Sequence, residues 1–332
     1  MRARCIALIA IFLLTSPRPC LAQSPMTNSG IAKQKALVLG GGGEVGEAWE
    51  SGVIAGLAEK GVDLSRADLI IGTSAGAIVG ARLAIGPPAD LIKAILNPPE
   101  GSPTVQESSS GPPPDLSILA RKFQEMNSGQ RPPQQIRAEI GAWALQAPPE
   151  TSEEEFLASY VRRFPDPRWP SRTFECTTID TADGSLKIWD HRSGVPLAHA
   201  VASSCALPGL FAPVAIDGRR YMDGGMRSAS NADLAKDYKA IVVIAVKLGP
   251  TEDAISKRFG AVAAALLAPL TLEGEVKTLR DAGSKVELIV PDRASIDAFG
   301  TALDPSRRVP AANAGLLEGR KRAAEIRAVW SD

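Results

Sequence analysis

Asp68-Leu69-Ile70-Ile71-Gly72-Thr73-Ser74-Ala75-Gly76 is an apolar run that passes without a break into a serine flanked by glycines. The run reads as a buried strand and residues 75–85 as a helix. Ser74 therefore occupies the tight corner between them, the geometry of a nucleophile elbow. Gly72 and Gly76 suit that corner because a sharp strand-to-helix turn crowds the backbone where a Cβ would stand. The corner lifts the hydroxyl above the sheet. It also aims the N-terminus of the helix at any oxygen that becomes negative.

Upstream, residues 35–39 (K-A-L-V-L) read as a first buried strand ending in Gly40-Gly41-Gly42-Gly43. A helix is expected over 45–60, with Glu44, Glu47 and Glu50 early, where acids favour the helix dipole. Strand, glycine turn and helix, repeated once, make a parallel βαβα start with a right-handed crossover. Downstream, the Pro-, Ser- and Gly-rich stretch 97–114 reads as a mobile loop. Helical patterns follow at 116–126, 133–145 and 152–164. Residues 97–170 thus form a helical insertion, either a cover for a cleft or a packed helical layer.

Strand signals return at 173–179 and 185–189 around Asp183-Gly184, and at 213–216 and 219–222 around Asp217-Gly218, two hairpin turn signatures. Residues 195–205 look like a helix packed on the core. The apolar runs 241–246 and 286–290 suit strands buried on both faces. Residues 261–270 are apolar but too short to span a membrane, and 308–330 close the chain as a helix. The fold class expected is α/β, three-layer α/β/α with a mostly parallel sheet.

At the other end, Arg2 and Arg4 precede the apolar stretch 5–14, and Cys20-Leu21-Ala22 offers small residues for cleavage. Residues 1–22 are expected to be a signal peptide, followed by a linker over 23–35. The protein is then exported, periplasmic or secreted; translation from Met26 would instead leave it cytoplasmic. Cleavage would lower Lys plus Arg from 37 to 34 against 37 acids. No basic field remains to favour nucleic acid. Of the cysteines, Cys176 and Cys205 would survive. They read as core thiols, with a single bridge as the alternative.

A serine hydroxyl needs a base to become a nucleophile at neutral pH. The two histidines, His191 and His199, lie in no strand-end glycine turn, and nothing after His199 could complete a conventional Ser-His-Asp triad. Asp223 fits better, because the strand 219–222 leaves through Asp223-Gly224-Gly225, where the glycines remove bulk around the carboxylate. Partial burial would raise its pKa towards that of a working base. The four consecutive glycines Gly40 to Gly43 leave bare amides between a strand and a helix N-terminus, suited to an oxyanion. The spacing Gly41-x-Gly43-x-x-Gly46 also matches a dinucleotide-binding fingerprint. That reading wants an acid about 20 residues on, ending a second strand, where this chain has its elbow.

With glycine loop, elbow and Asp-Gly-Gly turn in that order, the chain resembles the patatin-like phospholipases over about residues 36–236, with 237–332 completing the fold. The resemblance implies a Ser74–Asp223 dyad, nucleophile and proton acceptor. It also implies an oxyanion hole from Gly41, Gly42 and Gly43, with Gly46, Gly72, Gly76, Gly224 and Gly225 as motif support. Residues 202–209 and 231–235 also look like this family. One departure is Val45, where many members carry a basic residue. The expected activity is hydrolysis of carboxylic esters of lipids, with transient contact at a membrane surface and no metal or organic cofactor. The alternatives are a catalytically silent lipid-binding or interaction protein of the same fold, and an oxidoreductase that binds a dinucleotide.

Overall fold

The computed structural model describes residues 34–97, 116–246, 269–300 and 304–331. The expected signal peptide, most of the 97–114 loop and most of the apolar run 261–270 lie outside them. Among the described residues no helix is long and apolar enough to cross a membrane.

Five strands form a parallel block. β1 (Lys35–Leu39) lies between β2 (Leu69–Gly72) and β7 (Ala240–Ile244), with β3 (Phe174–Asp180) beyond β2 and β8 (Lys285–Ile289) beyond β7. β4 (Leu186–Trp189), β5 (Val214–Ile216) and β6 (Arg219–Asp223) join antiparallel, so the sheet is mixed. Side chains alternate along the central strands, as period-two geometry requires. Leu37, Leu39, Ile70, Val242 and Ile244 enter one buried cluster, and Ala36, Val38, Ile71, Ile241 and Val243 another. The first face is covered by α1 (Gly43–Glu59), α2 (Ala75–Ile85), α3 (Pro88–Leu96), α6 (Glu153–Arg163), α7 (Leu197–Ser204), α9 (Arg293–Phe299) and the closing helix α10 (Arg308–Trp330). α8 (Pro269–Asp281) covers the second. The expected three layers are present.

The insertion is a packed layer over its described part. α4 (Ser117–Asn127) and α5 (Pro133–Ala144) bury Leu119, Phe123 and Ile140 against Ile179, Met222 and Met226. Phe156 and Tyr160 of α6 join the main core instead. Both hairpins turn where their Asp-Gly pairs stand, and Asp217 and Gly218 take φ of 49° and 76°, the left-handed pair of a tight hairpin turn.

One pairing positions the site. Cys176 of β3 faces Gly72 of β2 on one side and Trp189 of β4 on the other, while Ile179 faces Met222 of β6 and Leu186 of β4. β2 and β6 therefore share one edge of β3 and meet end to end. β2 stops at Cys176 and β6 stops with Asp223 opposite Thr178, two residues on. Two segments about 150 residues apart in the chain thus deliver Ser74 and Asp223 to one spot.

Candidate active site

Ser74 is the half-buried tip of an otherwise buried turn. Its backbone takes φ 54°, ψ −120°, a strained conformation for a residue with a Cβ, of the kind found at functional corners. The strain is held in place from several directions. The Thr73 N–H donates to the Leu39 carbonyl at 3.0 Å and the Gly76 N–H to the Gly40 carbonyl at 2.9 Å. A Cβ on Gly76 would land on the Leu39 carbonyl, and one on Gly72 would meet Ala77 Cα at 2.5 Å. The Ser74 N–H donates to Ser204 Oγ at 3.0 Å, and the Cys205 thiol donates to the Ser74 carbonyl at 3.2 Å. Ser204 and Cys205 belong to the end of α7 and serve the elbow directly, a role their sequence context did not disclose.

The Ser74 hydroxyl stands close enough to the carboxylate of Asp223 to favour its charged form. Asp223 is buried, and its Oδ1 also accepts the Gly225 N–H at 2.7 Å. Burial pushes its carboxyl up to about 7, against the opposing pull of the Gly225 amide and the Ser74 hydroxyl. Gly224 is required by contact, since a Cβ there would strike the Thr177 hydroxyl. No hydrogen bond joins His191 or His199 to either residue; His191 is exposed and His199 lies along α7. Cys176 and Cys205 are free, buried thiols, and burial raises both.

The glycine loop lies against the elbow, with Gly41 backed by Ser74 Cβ. Its amides are not equivalent. The Gly40 N–H donates to the Ile244 carbonyl at 2.9 Å and to Glu50 Oε1 at 3.1 Å. The Gly41 N–H donates to the Ala229 carbonyl at 2.7 Å, so it is committed elsewhere, unlike the donor expected of it. Gly42 and Gly43 have no hydrogen-bond partner for their N–H groups among the described residues, and neither has Ala75. Gly46 lets α1 approach Val246 and Ala75, where its own Cβ would sit 3.2 Å from Val246.

The early acids of α1 do more than meet its dipole. Glu47 and Glu50 are buried. Glu47 pairs with Arg82 of α2 at 2.5 Å, Arg163 of α6 at 3.3 Å and Arg308 of α10 at 3.1 Å. These three cations hold its carboxyl far down despite its burial. Arg308 also pairs with Glu44. Val45 itself is buried in the main core, so the positive charge beside the loop comes from other helices.

A strained serine on a buried carboxylate, beside a glycine loop with bare amides, is an acyl-transfer arrangement. The family model described as patatin-like phospholipase matches residues 37–236. The chain belongs to the patatin-like phospholipase family. Members of this family are lipid acyl hydrolases, and the dinucleotide alternative falls with that assignment. Among solved structures, VipD from Legionella pneumophila is similar at 17% identity, covering 88% of this chain and 67% of its own, with a TM-score of 0.44. The type III effector protein ExoU is similar at 15% identity over 89% of this chain, with a TM-score of 0.38. This chain spans 53% of ExoU. No curated protein matches the sequence.

Proposed function

We propose that this patatin-like phospholipase cleaves carboxylic ester bonds of lipids by a phospholipase A or lysophospholipase type of reaction, with Ser74 as nucleophile and Asp223 as base. The observation that carries the reading is the convergence of the Ser74 elbow and Asp223 on one edge of β3, with the Ser74 hydroxyl beside a buried carboxylate that burial pushes up to about 7. Such a base is about half ionised at neutral pH and basic enough to accept a proton. Ser74 Oγ attacks the acyl carbonyl carbon as its proton passes to Asp223. The oxyanion is held by the Gly42 and Gly43 amides, each worth about 3 kcal/mol. Collapse breaks the ester bond, and protonated Asp223 returns its proton to the leaving alcohol. Water, deprotonated by Asp223, then releases the fatty acid from the acyl-enzyme and regenerates Ser74. Arg2 and Arg4 before the apolar stretch 5–14, with Cys20-Leu21-Ala22 after it, support export of this activity from the cytoplasm.

A lipid panel scored by mass spectrometry of released fatty acids tests the proposal, with Ser74→Ala as the blank. We expect one or more phospholipids or lysophospholipids to be cleaved, and turnover by Ser74→Ala to fall at least about a thousandfold. Equal release by both proteins refutes the assignment. No release by either, with no reaction of Ser74 towards a fluorophosphonate, marks a silent lipid-binding member of the family.

A further inference from the structure

Asn231 lies in the loop that follows the Asp-Gly-Gly turn, fully buried, with φ 52° and ψ 36°. Asparagine tolerates this left-handed conformation better than most side chains. Its Oδ1 accepts from Arg227 Nη1 at 2.7 Å. Arg227 is itself clamped by Asp233, through bonds of 2.9 and 2.6 Å. A guanidinium can only donate, so this contact fixes which way the Asn231 amide faces. The amide nitrogen then donates to the Ser228 carbonyl at 2.9 Å and to Thr73 Oγ1 at 3.0 Å. Thr177 Oγ1 at 3.3 Å and the Gly224 carbonyl at 3.4 Å complete its surroundings. Thr73 and Thr177 are also fully buried, with their hydroxyls 2.8 Å apart.

The residues around this one amide matter. Thr73 immediately precedes Ser74, and Gly224 immediately follows Asp223. Thr177 is the β3 residue between the ends of β2 and β6. The two strands that carry the reacting pair pair with β3 and not with each other, so their ends need a separate tie. We infer that Asn231 is a positioning residue, its side-chain amide locking the Ser74 elbow to the Asp223 turn. The inference rests on the proposed roles of Ser74 and Asp223. Small displacements of reacting groups are costly, about a hundredfold in rate for an ångström. Loss of the tie therefore acts on turnover rather than on substrate binding.

The test compares Asn231→Ala, Thr73→Val and Thr73→Ser on a cleaved lipid, with thermal unfolding measured in parallel. Asn231→Ala and Thr73→Val should each lower kcat at least about tenfold, with KM within about twofold. Thr73→Ser, which keeps the hydroxyl, should recover most of that loss. The double variant Asn231→Ala/Thr73→Val should be little worse than the poorer single, because both remove the same bond. The acid limb of the pH profile should also move below that of the wild type in both single variants, as a loosened turn admits water to Asp223. Unchanged kcat and pH limb in Thr73→Val overturns the inference. So does a loss of activity that follows only the loss of folded protein. If Asn231→Ala does not fold, the Thr73→Val and Thr73→Ser pair decides. Ser74→Ala is run beside them: if it remains active, the reacting pair itself is wrongly assigned. If it is dead while Thr73→Val is normal, only the role of Asn231 fails.

Discussion

Asp223→Asn should abolish turnover and at the same time make the protein more stable at alkaline pH. An ordinary aspartate has a pKa of about 3.9, so a folded value of about 7 means the fold prefers the protonated carboxyl. The native state then binds a proton more tightly than the unfolded chain. Stability associated with this group is fully present below about pH 4 and is lost as pH rises through about 7. Three pKa units correspond to about 4 kcal/mol, an upper bound because some relaxation accompanies ionisation. Asparagine does not titrate, although it forgoes the charge-assisted bond from Gly225 and the stabilising influence of the Ser74 hydroxyl on a carboxylate. We therefore expect Asp223→Asn to melt several degrees above the wild type at pH 8 and close to it at pH 4. Thermal unfolding across that range checks this. A gap that does not widen with pH would mean that the carboxyl is not held neutral by burial.

The second large effect concerns stability alone. α1 and α10 cross with their backbones in contact, and the contact is made by glycines on both helices. A Cβ on Gly52 or Gly56 of α1 would strike the Ala312 or Leu316 carbonyl of α10, and one on Gly315 or Gly319 would strike the Trp49 or Val53 carbonyl of α1. The four residues repeat at a spacing of four on each helix, which places them on one face. Gly319→Leu must force the helices apart, at about 3 kcal/mol or more. It would also disturb the ion pairs that Arg308 makes with Glu44 and Glu47 at the loop end of α1. Two residues earlier, Leu317 is largely exposed, so Leu317→Ala should stay within about 0.5 kcal/mol of the wild type. Urea unfolding midpoints for the two variants decide the matter, and equal midpoints would contradict the packing described.

These two cases mark what the chain displayed openly and what it concealed. α2 and α10 run over the residues expected, 75–85 and 308–330, because glycine, proline and apolar spacing are local signals. α3 is a helix for which no expectation was drawn; Pro88 opens it, at a position where the missing N–H of proline costs nothing. Ser74 and Asp223 were legible as residues, since each stands in its own glycine turn. Their meeting was not, because the shared edge of β3 is a long-range pairing that no local pattern encodes. Likewise, Gly41 looks no different from Gly42 until the Ala229 carbonyl takes its amide. Glu47 and Glu50 resembled ordinary acids of a first turn, and nothing nearby in sequence announces Arg82, Arg163 or Arg308 as partners of Glu47. Asn231 owes its significance to contacts with segments over 50 and 150 residues away.

The most direct test is the rate of covalent labelling by a fluorophosphonate as a function of pH, with the modified residue located by peptide mass spectrometry. A single adduct, on Ser74, is expected. Its rate should rise about tenfold per pH unit in acid, level off above about pH 7, and be lost in Asp223→Asn. A label on another residue would contradict it, as would labelling of Ser74 at a rate indifferent both to pH and to Asp223→Asn.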